Sequence, residues 1–252
     1  VPQFTLLDDY SRRARLLPAM IVTLPMVLAA PLWLPVLKLA PIVAVLFSWF
    51  GLGVLLSELS RDVGKRREAR LWASWGGSPT LRRLRLRADC ENPAARDRWR
   101  ARIAALAPET PLFAAPAEAA DPVRADGLIE VCVARLRELT RDTSKFPLVF
   151  QENISYGFRR NLWAMKPVAI FLALLAIAAA MVAISSSHNV ELSLVVVSIG
   201  CSAVMLTWWL LRIRPSWVRE AAERYADQLL WSCEQLDSPR TQTAQDVRRV
   251  GF

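Results

Sequence analysis

The sequence predicts an all-α integral membrane protein in which two transmembrane helical hairpins flank a helical cytoplasmic domain. Three observations predict it. Four apolar stretches, Leu16 to Leu37, Leu39 to Leu59, Pro167 to Ile184 and Leu192 to Leu211, each reach about the eighteen residues that a bilayer-crossing helix needs. Lys and Arg are distributed one-sidedly: three precede the first stretch, twenty-one lie in residues 60–166 and seven follow residue 211, against Lys38 alone in the two hairpin turns. Between the hairpins the pattern is that of helices started by Pro, Asn or Asp, with no strand–helix alternation to build an α/β fold.

Positive charge marks the cytoplasmic side, and four spans return the chain to it. The organisation that follows is a cytoplasmic arm (1–15), hairpin 1 (16–59), a basic helical domain (60–166), hairpin 2 (167–211) and a cytoplasmic amphipathic helix with a polar tail (212–252). The expected location is a bacterial inner membrane, with the lipid bilayer as first partner. Arg12, Arg13 and Arg15 before an apolar run also resemble the start of a secretory signal. The run is too long for a signal core and a second span follows almost at once, so a membrane hairpin is the better reading.

Cys90, Cys132 and Cys233 fall on the reducing side and Cys201 falls within a span, which argues against disulfides. With no CxxC pair and a single histidine, His188, no metal site is expected, and no cofactor either. No paired acid and base, activated nucleophile or P-loop stands in the chain, so the expectation is a protein that is not an enzyme.

Taken in order, the first span carries Pro18, Pro25, Pro31 and Pro35; Pro25 removes a backbone hydrogen bond near the helix middle and is a packing bend or a gating point. The second span places Ala44 and Ser48 four residues apart and adds Gly51 and Gly53, a small surface suited to close helix contact within the hairpin or between copies. Glu58 at its end is expected to be hydrated or paired with Arg61. The helix then continues amphipathically through Leu59, Val63, Leu71, Trp72 and Trp75, until Gly76 and Gly77 stop it and Ser78–Pro79 start another.

Residues 81–87 read as a short helix or an alternating strand. Gly76 and Gly77 beside Arg82, Arg83, Arg85 and Arg87 make a candidate contact for phosphate or anionic lipid, and an acid-paired surface is the alternative. Asn92–Pro93 opens a helix with Trp99, Ile103 and Leu106 inward. A loop, TPLFAAPAEAADP, follows, and Asp121–Pro122 opens a second helix with Leu128, Val131, Cys132, Leu136 and Leu139 on one face.

Before the third span, Tyr156, Phe158, Arg159, Arg160 and Trp163 mix aromatic and basic side chains as a headgroup-level anchor does; Trp208, Trp209 and Arg212 close the fourth span in the same way. The third span presents Ala176 and Ala180 on a narrow face for helix packing or gating. The final helix is expected to bury Trp217, Val218, Ala221, Ala222, Tyr225, Leu229 and Leu230. Neither the third nor the fourth span has an ionisable residue near its middle, which disfavours a proton-coupled transporter.

Two hairpins around a basic helical domain, with the segments WGGSPT and ENISYGFRRN, resemble small bacterial four-span, pore-forming effectors of phage defence. The resemblance is architectural and covers the four spans. It implies a protein that perturbs membrane integrity or conducts ions when a protein or nucleotide trigger reaches the cytoplasmic domain, and the small-residue faces of the second and third spans add the expectation of a homo-oligomer. The alternative is a membrane adaptor that forms no pore and recruits a cytoplasmic protein or nucleic acid.

Overall fold

Local capping chemistry sets the helix boundaries. The computed structural model describes residues 8–33, 42–89, 91–186 and 191–236, with the side chains of residues 42–50 and 52 left out. All regular structure among the described residues is helical. Helix α1 spans Asp9–Leu32 and α2 spans Ile42–Trp75. Three shorter helices follow, α3 (Pro79–Leu84), α4 (Pro93–Leu106) and α5 (Ala115–Ala120), then α6 (Pro122–Leu139). The chain continues as α7 (Pro147–Ser185), α8 (Leu192–Leu211) and α9 (Pro215–Ser232).

The predicted stop at Gly76–Gly77 is present. Both glycines have positive φ, 81° and 125°, and the Gly77 N–H donates to the Trp72 carbonyl at 2.8 Å, closing α2 with a left-handed turn that residues with a Cβ resist. Ser78 then accepts the Leu81 N–H at 3.3 Å, Asn92 accepts that of Ala95 at 3.0 Å and Asp121 that of Arg124 at 3.1 Å. Each cap is followed by Pro in the first turn, where the missing N–H costs nothing.

Three helices, α1, α7 and α8, are long and apolar enough to cross a membrane. The other predicted span falls on α2, where Ala44 and Ser48 lie outside the described side chains. Lys38, Cys90, Ser187, His188 and the tail beyond Leu236 also lie outside the described residues. α2 has 34 residues and α7 has 39. At 1.5 Å per residue they extend about 51 and 58 Å, longer than the roughly 30 Å hydrocarbon layer of a bilayer.

Pro167, where the apolar stretch begins, lies inside α7, a helix that starts twenty residues earlier at Pro147. The loop expected over residues 110–122 contains α5 instead, opened by Pro116 in its first turn. Residues 81–87 divide: the helix ends at Leu84 and Arg85 is extended.

The chain forms two units, one from Val1–Ala69 with Ile154–Arg219, the other from Arg70–Asn153 with Glu220–Phe252. In the first, Val22, Leu162, Met165, Ala169, Trp209, Ile213 and Trp217 form one buried cluster, and Leu32, Ala180, Ala183 and Val195 form another. In the second, Leu81, Leu84, Trp99, Ile103, Ile129, Cys132, Leu136, Phe146, Leu229 and Leu230 pack together. Trp99, Ile103 and Leu106 are buried as expected. On α6 the buried face is Ala125, Ile129, Cys132, Val133 and Leu136, whereas Val131 is 55% exposed, so the true stripe is rotated from the expected one.

Candidate functional site

Four helices of the first unit are tied together at one end by polar side chains from α7. Arg160 donates from Nη1 to Glu68 Oε1 of α2 at 2.9 Å, and the Tyr156 hydroxyl donates to the same oxygen at 2.5 Å. Arg160 also donates from Nε to Asn161 Oδ1 at 3.3 Å and lies over the Tyr156 ring, 5.6 Å from its centroid. Asn161, with no exposed surface, donates from Nδ2 to the Ala14 carbonyl of α1 at 2.7 Å. Ala14 sits in a π-helical turn over Arg12–Leu16, a wider turn that helices often carry at functional positions.

The remaining ties are backbone-directed. Arg67 of α2 donates to Ala164 O at 2.9 Å, and Lys166 donates to Ile213 O at 2.8 Å, occupying carbonyls at the end of α8 that no helical N–H reaches. Two glycines permit this closeness. A Cβ on Gly157 would stand 2.7 Å from the Tyr10 hydroxyl and 3.1 Å from the Ala14 Cβ, and one on Gly64 would collide with the Asn161 side chain. The helices are α-helical at both positions, so space alone requires glycine there.

The residues expected at the headgroup level therefore divide. Tyr156 and Arg160 are buried because Glu68 faces them, and Trp209 is fully buried in the apolar cluster. Phe158 and Trp163 pack partly against that cluster. Arg159 lies 4.8 Å from the Trp217 ring centroid and Arg212 5.7 Å from it, while Trp208 and Arg212 are exposed.

Among the packing residues, Ala176 and Ala180 belong to a fully buried stripe with Ala169, Ala173 and Ala183, and Ala180 packs within its own chain against Leu32 and Val195. Pro25 is buried within a helix that continues past it. A Cβ on Gly53 would touch Leu16 and Met20 of α1 at 3.4 and 3.5 Å, so this glycine serves the contact inside the hairpin; Gly51 is exposed. Glu58 pairs with Arg61 at 2.9 Å. Ser198 and Ser202, one turn apart on α8, are buried with hydroxyls that have no partner among the described residues.

In the second unit the arginines flanking the glycine turn are committed to carboxylates. Arg82 and Arg83 pair with Glu223 at 3.0 Å, and Arg83 with Asp227 at 2.9 Å. Arg85 grips Asp126 with two parallel bonds of 2.9 and 2.7 Å and also donates to Gly76 O. Arg87 reaches Asp126 at 2.6 Å and Glu118 at 3.2 Å. Burial alone would raise the Asp126 pKa, but the hydrogen bonds and charge of Arg85 and Arg87 outweigh it and hold the carboxyl below its ordinary value. Glu118, 1% exposed, accepts the Leu86 N–H at 2.8 Å and faces Arg100 at 3.4 Å. The cluster thus fastens a turn, and the positive charge offered to an outside phosphate is largely neutralised. Gly77 keeps its place because a Cβ there would press on the Arg85 guanidinium at 3.1 Å.

No protein-family model, curated protein or solved structure matches the chain. Function then rests on this geometry. Sequence reasoning missed Gly64, Glu68, Gly157, Asn161 and Glu118; lone glycines inside the helical patterns at 64 and 157 were the one available signal of close approach.

Proposed function

We propose that this chain is a four-span effector of a bacterial inner membrane, with both termini and the helical domain cytoplasmic. A trigger received on the cytoplasmic side releases the spans to perturb the bilayer or conduct ions, the activity implied by the likeness to phage-defence effectors. The observation that carries this reading is the Glu68–Arg160 pair, because α2 and α7 are unbroken helices too long to lie wholly in hydrocarbon. A displacement of either helix outside the bilayer would move its apolar part as a rod, and the buried pair holds the two in one register.

The resting state is closed in this reading. Alanines of α7 fill the space facing its neighbours, so a lumen requires these helices to separate or several copies to assemble. Homo-oligomerisation is part of the proposal and rests on exposed span faces, since the Ala180 face is spent within the chain. The buried hydroxyls of Ser198 and Ser202 favour a conducting state, in which water or an ion would supply their missing partner.

The competing reading is a tight membrane adaptor, favoured by the net charge of +9 and countered by the neutralised arginine cluster. Planar-bilayer recording of the full chain decides between them. Discrete currents or progressive leak under any voltage or added nucleotide support the effector; silent bilayers, together with stoichiometric retention of a soluble partner, support the adaptor.

A further inference from the structure

We infer that the first unit carries a binding site for the phosphate of an anionic phospholipid at the end of α8, formed by Arg212 and Arg214 with Lys166 and Trp217. It rests on the membrane-spanning reading, and it is distinct from the arginine cluster beside Gly76 and Gly77.

Charge availability separates the two places. The arginines at 82, 83, 85 and 87 are paired with acids of their own unit. Arg212 and Arg214 are exposed and bond no carboxylate among the described residues; Arg212 rests on the Trp217 ring and its head stays available. Lys166 donates to Leu210 O and Ile213 O, so its charge offsets the negative end of α8, which would otherwise repel a phosphate. Guanidinium groups suit this ligand because their parallel N–H donors match phosphate oxygens.

The surroundings select a lipid over a free anion. Immediately before Arg212, Leu210 and Leu211 are 51% and 60% exposed, and Trp208 is exposed beside them. An acyl chain would lie along that apolar surface while the phosphate met the arginines one turn beyond. Arg12 and Arg13, Lys65 and Arg66, and Arg212 precede Ala14, Arg67 and Ile213 in the chain, and the ties described above hold those three against residues within 159–166 of α7. That stretch rises about 10 Å, comparable with one headgroup layer of roughly 5 to 8 Å. Above it, the apolar part of α7 from Pro167 to Ser185 rises about 28 Å, the depth of the hydrocarbon.

The test uses full-length protein in mild detergent, incubated with equal amounts of phosphatidylglycerol and phosphatidylcholine, with retained lipid counted by native mass spectrometry. Wild type should retain phosphatidylglycerol preferentially, and millimolar inorganic phosphate should not displace it. R212Q/R214Q should lower that retention about tenfold, and R212K/R214K, which keeps the charge but loses the guanidinium fork, should give an intermediate retention. K65Q/R66Q removes the same charge from exposed side chains that pair with no carboxylate among the described residues and should change retention by less than about twofold. No preference in wild type, no loss in R212Q/R214Q, or an equal loss in K65Q/R66Q would overturn the site. A chain that alkaline carbonate strips from liposomes fails the membrane reading itself, a separate outcome.

Discussion

Arg160 and Glu68, ninety-two positions apart, meet at 2.9 Å with both side chains at least 85% buried. Burying two charges is costly, and the geometry offsets that cost with the Tyr156 hydroxyl on the carboxylate and Asn161 beside the guanidinium. Removing one partner therefore costs more than the pair contributes. Glu68→Gln should destabilise the first unit by about 3 kcal/mol or more, and Glu68→Gln with Arg160→Met should recover part of the loss. Thermal unfolding in detergent, followed by circular dichroism, reads both; additive losses would show that the pair is not coupled.

Gly157 tests the close approach of α1 and α7. Gly157→Ala pushes a methyl against the Tyr10 hydroxyl and the Ala14 side chain, at a cost of about 1–3 kcal/mol. Tyr10→Phe removes one of the opposing atoms and should restore part of the stability in the double variant. Equal melting of wild type and Gly157→Ala would show that the helices have room there.

The ion-pair fastening of the second unit should make its stability acid-sensitive. Because the folded-state pKa of Asp126 lies below its unfolded value, its contribution is present above the unfolded pKa, near 3.8, and is lost as pH falls through the folded one. Asp126→Asn should flatten that part of the pH–stability curve, because it removes the negative charge that Arg85 and Arg87 share and the second acceptor oxygen that Arg85 uses. An acid limb unchanged in the variant would assign the sensitivity to other carboxylates.

Legibility tracked sequence distance. Ser78, Asn92 and Asp121 could be named as caps because capping is a three-residue event followed each time by Pro. The alanine face of α7 was legible from its period, but its partner was not: the same surface serves contacts within a chain or between chains. Pro167 marks where the apolar stretch begins, yet the helix runs through it from Pro147, and the long-range ties of Arg160 and Lys166 on its N-terminal side hold that part of the helix in place. The pairings of Glu68 with Arg160 and of Glu118 with Arg87 join acids to arginines far along the chain, and charge in one dimension does not specify such partners.

Cysteine chemistry gives an independent check on packing. Burial raises the Cys233 thiol pKa to about 11, and the Cys132 thiol is also raised by burial. Against an ordinary value of 9.0, Cys233 should hold about a hundredfold less thiolate near neutral pH. Both should resist iodoacetamide in the folded protein and react once urea unfolds it; fast labelling of either in native protein would contradict the packing of the second unit.

The buried Glu68–Arg160 pair is proposed as the hold on a closed bundle, and ion flux from sealed proteoliposomes tests that most directly. Wild-type vesicles should stay tight without a trigger, and vesicles with folded Glu68→Gln protein at equal density should leak ions spontaneously. Folded, inserted Glu68→Gln vesicles as tight as wild type would contradict it.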